Sequence, residues 1–455
     1  MVRDLTRGTP FKQMLLFSLP ILLGNLFQQL YGMVDTVIVG RYLGEHAMAA
    51  VGATGSVHFF ILGFAQGTSS GFAIRTAQAF GAGDKQEVRR SVRCCMILAI
   101  GLTIVMTALS VPFLRPLLTL MQTPADLIDH SVLYIQVICG GMFSAIFYNI
   151  VAAILRALGD SRTPLIFLII SALLNVLLDV VLIVVFGMGV EGAALATVIA
   201  QTLSATACLI YGLKHCDYLH TGSVKGTIPG RMYAEHLSVG VPMGLQFSIT
   251  AIGSMMLQSS FNRFGTVSAT AYAVACKVES LSQQPSAALG ATMANYAGQN
   301  LGARDYRRIR RGVRWAMLLG VGYAVLAVII NVGFGEALME LFFAGEMSQA
   351  VRDYAMEYLW ITSAFFLFLI SIHLFRNTLQ GLGEKVAPMM GGVLELVARV
   401  GVCAFLPGLI GYTGACLAPC AAWLGTGVLT CARYFYLEKR WRRQGLMKER
   451  EVHDA

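Results

Sequence analysis

The stretch QAFGAGDKQEVRRSVR, Gln78 to Arg93, returns 221 residues later as QNLGARDYRRIRRGVR, Gln299 to Arg314, with 8 identities in 16 ungapped positions. Ordinary residue frequencies would give about one. Working outward in the same register, within three residues, Pro20 falls on Pro242, and Leu158-Gly159 before Pro164 falls on Leu382-Gly383 before Pro388. Gly189, Gly192, Ala193, Leu195 and Ala196 likewise fall on Gly411, Gly414, Ala415, Leu417 and Ala418. The chain is a tandem duplication, with its halves expected at residues 1–222 and 223–455.

What is duplicated follows from composition. The 455 residues are 56% hydrophobic and 13% charged, with a mean hydropathy of +0.66. Cutting the chain at its Asp, Glu, Lys and Arg residues leaves ten charge-free runs of 18 or more residues, more than a soluble core can absorb. The spans drawn around them are about 13–38, 48–74, 92–114, 130–155, 191–213, 236–262, 270–300, 313–335, 354–376 and 412–435. Two further spans, about 163–186 and 387–410, are interrupted by charge: Asp179 in one, Glu395 and Arg399 in the other. The fold class expected is therefore an all-α polytopic membrane protein with twelve transmembrane helices in two pseudo-symmetric six-helix lobes. An even number of spans per half gives both halves the same orientation, related by an axis along the membrane normal.

The net charge of +9 does not call for a nucleic acid. Of 34 Lys and Arg residues, 27 fall in the termini and alternate loops, four in the other loops (Arg41, Arg115, Arg263, Arg352) and three within spans (Arg75, Lys277, Arg399). That asymmetry makes the basic side, with both termini, cytoplasmic. The longest polar connection, Lys214 to Glu235, leaves no room for a soluble catalytic domain. No GxxxxGK[ST] or HExxH occurs, and the one GxSxG, Gly67 to Gly71, lies inside the second span rather than on a strand-to-helix turn. The ten cysteines, without a CxxC pair, read as small apolar packers.

An acid in the middle of a membrane helix costs about 2.5–3.5 kcal/mol on insertion scales, so Asp35 and Asp179 call for a function. Asn175 shares a helix face with Asp179 at i,i+4, and Thr197 offers a hydroxyl on the next span. Two carboxylates, an amide oxygen and a hydroxyl suit either a monovalent cation or an acid pair sharing protons. In the second half Glu395 and Arg399 have the i,i+4 order of a buried ion pair. Lys277 and Glu279 stand two apart, so one faces a cavity if the other packs. Arg75 is expected to snorkel to the cytoplasmic surface. Because both lone acids belong to the first half, the coupling site is expected in that half alone.

Leu19-Pro20 through Asp35, Leu158-Gly-Asp160 with Pro164, Asn175-xxx-Asp179 and Gln299-Asn-Leu-Gly-Ala303 together resemble the multidrug and toxic compound extrusion (MATE) family over nearly the whole chain. The resemblance implies a twelve-helix antiporter that exports organic cations in exchange for H+ or Na+, with no other cofactor. It puts the ion or proton site of the N-lobe at Asp35, Asn175, Asp179 and Thr197, and Tyr31, Tyr134 and Asn149 among the residues lining that lobe. Lys277, Glu279, Glu395 and Arg399 are the cavity candidates of the other lobe. Some family members place a carboxylate on the seventh helix, whereas His236 to Asn262 holds none. The partners implied are small organic cations and the lipid bilayer, the oligomeric state a monomer, and the location a bacterial cytoplasmic membrane. A lipid-linked saccharide flippase of the same superfamily and an intramembrane enzyme are the competing readings; His46, His58 and His373 show no evident partner for the latter.

Overall fold

The repeated stretch is a helix stop joined to a helix start. In the first copy Gly83 takes a left-handed φ of 75°, ending one helix, and Asp84 accepts from the backbone N–H groups of Gln86 and Glu87 at 3.0 and 2.9 Å to begin the next. In the second copy Arg304 takes φ 55°, and Asp305 accepts from the Arg308 N–H at 2.9 Å. A left-handed residue past the helix end and an aspartate at the following N-cap are the standard solutions for unpaired helix-end groups. The duplication thus preserves a joint.

The computed structural model describes residues 3–121, 123–223, 226–342 and 347–447, and in them every regular element is a helix. The first half holds α1 Pro10–Leu43, α2 Glu45–Gly81, α3 Lys85–Ser110, α4 Leu114–Leu120, α5 Ile128–Gly140, α6 Met142–Ala157, α7 Arg162–Asp179 and α8 Val190–His215. The second holds α9 Gly230–Asn262, α10 Thr266–Gly302, α11 Tyr306–Val328, α12 Gly335–Phe342, α13 Gln349–Ala364, α14 Phe366–Gly381, α15 Val386–Ile410 and α16 Tyr412–Arg443. Among the described residues nine helices are long and apolar enough to cross a membrane, and the bent pairs α5–α6 (46°) and α13–α14 (52°) raise the number to eleven if each is one span. Helix α10 has 37 residues but is not among them: Lys277, Glu279 and a run of Ser and Gln dilute its apolar content.

The helices form two compact units. One gathers Leu19–Ala77 and Asp84–Ala251; the other gathers Asp4–Ser18, Gln78–Gly83 and the chain from Ile252 onward. In the first unit, α2 and α9 meet on glycine: a Cβ at Gly71 would lie 2.5 Å from the Gly240 Cα, and one at Gly67 2.6 Å from the Met243 carbonyl oxygen. Only small residues allow that approach. The small residues singled out above do something more local. A Cβ at Gly192 would meet the Met188 Cβ at 2.8 Å and one at Gly414 the Leu406 carbonyl at 2.6 Å, so each lets α8 or α16 start close against the segment before it. Two helices finish in π-helical turns, Val180–Val185 directly after Asp179 and Ile329–Gly333 after α11. Such turns recur at functional sites.

Candidate functional site

In the first unit α1 brings Tyr31 and Asp35 to one face at i,i+4, α7 ends on Asn175 and Asp179 with the same spacing, and α8 contributes Thr197. All except Tyr31 are buried: Asp35 keeps 8% of its exposure, Asn175 1% and Asp179 none. The Tyr31 hydroxyl and Thr197 Oγ1 are 3.0 Å apart, and Asn175 Nδ2 donates to the same Oγ1 at 3.2 Å. Thr197 therefore ties the three helices together. The Asp35 and Asp179 carboxyls are close enough to act on each other electrostatically. No donor reaches Asp35 Oδ1, Asn175 Oδ1 or either oxygen of Asp179. Buried acceptors without donors are costly. The donor set fits what would relieve the cost: a proton held between the two acids, or one small hard cation among the four oxygens. Among the described residues no group of three His, Cys, Asp or Glu gathers as a divalent or transition-metal site would need.

The remaining candidates divide. Tyr134, buried on α5, is within electrostatic range of Asp35, Tyr31 and Asp179 and belongs to the cluster. Asn149 on α6 donates to the Ala145 carbonyl at 2.9 Å, and no contact ties it to the acids. Lys277 is exposed, while Glu279 is buried and accepts from the Tyr358 hydroxyl at 2.8 Å. Arg399 bonds Glu395 at 2.6 Å, both buried. Arg75 does not rise alone to the surface: it forms an ion pair with Glu235 of α9, which also takes Arg231 at 3.0 Å.

Two groups escaped the sequence reading. Arg376, counted there with the cytoplasmic loops, is buried within α14 and approaches Glu395 at 3.5 Å. The signal was available, because the Leu382-Gly383 stop comes six residues later and the helix must run past Arg376 to reach it. Asn331, fully buried in the second π turn, accepts from Ser282 at 2.6 Å and donates to Ser363 at 3.2 Å. A lone amide in an apolar run carries no pairing signal in sequence.

A multi-pass helical protein that buries two unpaired acids in apolar spans, one of them where α7 gives way to a π-helical turn, has the build of a secondary-active transporter. The MatE family model matches residues 20–181 and again 242–405, once in each half and together well over half of the chain. The chain belongs to the MatE family and is a secondary-active, alternating-access transporter of small molecules rather than an enzyme. Among its relatives, the probable multidrug resistance protein YpnP of Bacillus subtilis is 29% identical over 450 residues, covering 98% of this chain and 99% of that one. The multidrug export protein MepA of Staphylococcus aureus is 24% identical over 408 residues, covering 89% of each. The same fold is seen in a MOP superfamily transporter from Pyrococcus furiosus (TM-score 0.88, 22% identity, 98% of each chain). It is seen again in a multidrug resistance MATE family transporter solved in an outward-facing conformation (TM-score 0.87, 22% identity, 98% of each chain).

Proposed function

We propose that this protein exports small organic cations, drug-like compounds among them, in exchange for H+ or Na+, and that Asp35, Asp179, Asn175 and Thr197 carry the coupling ion. The observation that supports this reading is the pair of buried carboxyls with three oxygens that no donor reaches, beside the equally unpartnered Asn175 Oδ1. In this reading the protein has twelve spans, α10 crossing with Glu279, Ser282 and Ser286 turned to protein, arranged as two lobes at residues 1–222 and 223–455. Both termini are cytoplasmic, and the protein works as a monomer in the cytoplasmic membrane.

The coupling follows from charge. With the pair ionised, the first lobe attracts a cationic substrate. Uptake of protons, or of one sodium ion, from outside cancels negative charge on the pair, removes part of that attraction and releases the substrate outward; the site then returns at lower electrostatic cost. Tyr31 and Thr197 let α1 sense the state of the pair, because the hydroxyl that joins them also receives Asn175. Efflux of ethidium from de-energised vesicles, with pH and sodium gradients imposed separately, tests the reading. A response to at least one gradient is expected, and no response to either would overturn it.

A further inference from the structure

Glu279 sits in the middle of α10, in the second unit, and the pair described above does not use it. Its side chain is buried among rings: Phe261 stacks on Tyr272 with centroids 4.2 Å apart, and Tyr358 meets Tyr272 edge-on at 5.3 Å. The Tyr358 hydroxyl donates to Oε2 at 2.8 Å, whereas Oε1 has no partner of hydrogen-bond geometry, with Gln283 flanking it one turn along. The groups facing it from the neighbouring helices are few. Helix α13 brings Tyr358, α15 brings Arg399 within electrostatic range, α16 brings Cys420, and α10 itself adds Tyr272 and Cys276. Helix α14 directs Arg376 and His373 to Glu395 instead. Arg399 in turn bonds Glu395 and makes no ion pair with Glu279.

We propose that Glu279 is a second proton-carrying group, in the C-terminal half of the chain, whose ionisation sets the net charge it shares with the separate Glu395, Arg376 and Arg399 ion-pair cluster. With Glu279 ionised, two carboxylates balance two guanidiniums. A proton taken from the outer aqueous phase onto Oε1 removes the buried charge of the carboxylate and leaves these four groups with one net positive charge. That charge repels a cationic substrate from the second half, as neutralising the acid pair removes attraction in the first. The inference deepens the antiport reading and rests on it for direction of transport, but not for the protonation itself. The lone acids of the sequence put ion coupling in the first half alone; the pairing of Glu395 with two arginines is what leaves Glu279 without a full counter-charge.

Infrared difference spectra of the full protein in phosphatidylcholine and phosphatidylglycerol vesicles, stepped in pH, read carboxylic-acid protonation directly. Asp35→Asn/Asp179→Asn should retain a carboxylic C=O band that disappears on adding Glu279→Gln. Tyr358→Phe, which removes the donor to the ionised form, should move the midpoint of that band upward by roughly half to one pH unit. Proton release on adding tetraphenylphosphonium should fall in Glu279→Gln, additively with the loss in Asp35→Asn. A titrating band unchanged by both Glu279→Gln and Tyr358→Phe would overturn the proposal. So would loss of the whole band in Asp35→Asn/Asp179→Asn, and in that case the reading of the acid pair would stand.

Discussion

Gly81 and Gly302, equivalent positions in the duplicated stretch, each close on the partner stretch: a Cβ at Gly81 would lie 1.8 Å from the Gln299 carbonyl oxygen, and a Cβ at Gly302 1.9 Å from that of Gln78. The ends of α2 and α10 thus meet backbone to backbone, reciprocally. Gln78 also donates to the Gly381 carbonyl at 2.9 Å, and Gln299 accepts from the Leu5 N–H at 2.9 Å.

Since the atoms in the way are backbone, Gly81→Ala and Gly302→Ala must separate the two helix ends. Each is expected to destabilise by about 1–3 kcal/mol, read as a lower thermal midpoint in detergent. Gly101→Ala is the control: nothing lies within 4 Å of its Cβ, and the change should be neutral or stabilising by about 0.5–1 kcal/mol.

Asp35→Asn keeps the side-chain volume and removes the titratable group, so coupled efflux should be abolished while expression and membrane insertion stay normal. Asp179→Asn should do the same, because each acid completes the other's site. Normal export by either variant would remove that residue from coupling. Outside acidification, or sodium if that is the ion, should lower the affinity for ethidium in the unaltered protein and not in Asp35→Asn.

Thr197→Val removes the one hydroxyl that Tyr31 and Asn175 share. The acids survive, so transport should persist with weaker ion dependence, measured as the slope of ethidium efflux against the imposed gradient. A slope equal to that of the unaltered protein would show that α1 does not read the pair through Thr197.

Glu395 serves two arginines, Arg399 at 2.6 Å and Arg376 at 3.5 Å. Glu395→Gln leaves both guanidiniums buried without their carboxylate and should cost about 3–5 kcal/mol. Arg399→Met leaves Glu395 with Arg376 and should cost less. The order of the two thermal midpoints checks this, and equal midpoints would mean that Arg376 contributes nothing to holding Glu395.

For topology, Thr266→Cys and Arg311→Cys place thiols at exposed positions in a background without native cysteines. Impermeant maleimide should label the first in intact cells and the second only after permeabilisation. The reverse pattern would invert the orientation drawn from the basic residues.

The sequence by itself determined the class and the duplication, because apolar runs long enough to span lipid and a repeated helix joint are both written in local chemistry. It also marked Asp35, Asn175 and Asp179, since an acid or amide in an apolar run stands out wherever the chain folds. What it could not contain is which side chain answers which. That Thr197 joins Tyr31 to Asn175, that Glu235 takes Arg75, and that Arg376 approaches Glu395 are decided by distances between residues from 19 to 166 positions apart along the chain. The close glycine contacts are of the same kind: Gly71 and Gly240 are unremarkable in their own helices, and only the packing of α2 against α9 gives the missing side chains a purpose. Local patterns report hydrophobicity and helix ends, which each segment carries alone, whereas pairing of buried polar groups is a property of the packed interior and exists only once the helices have met.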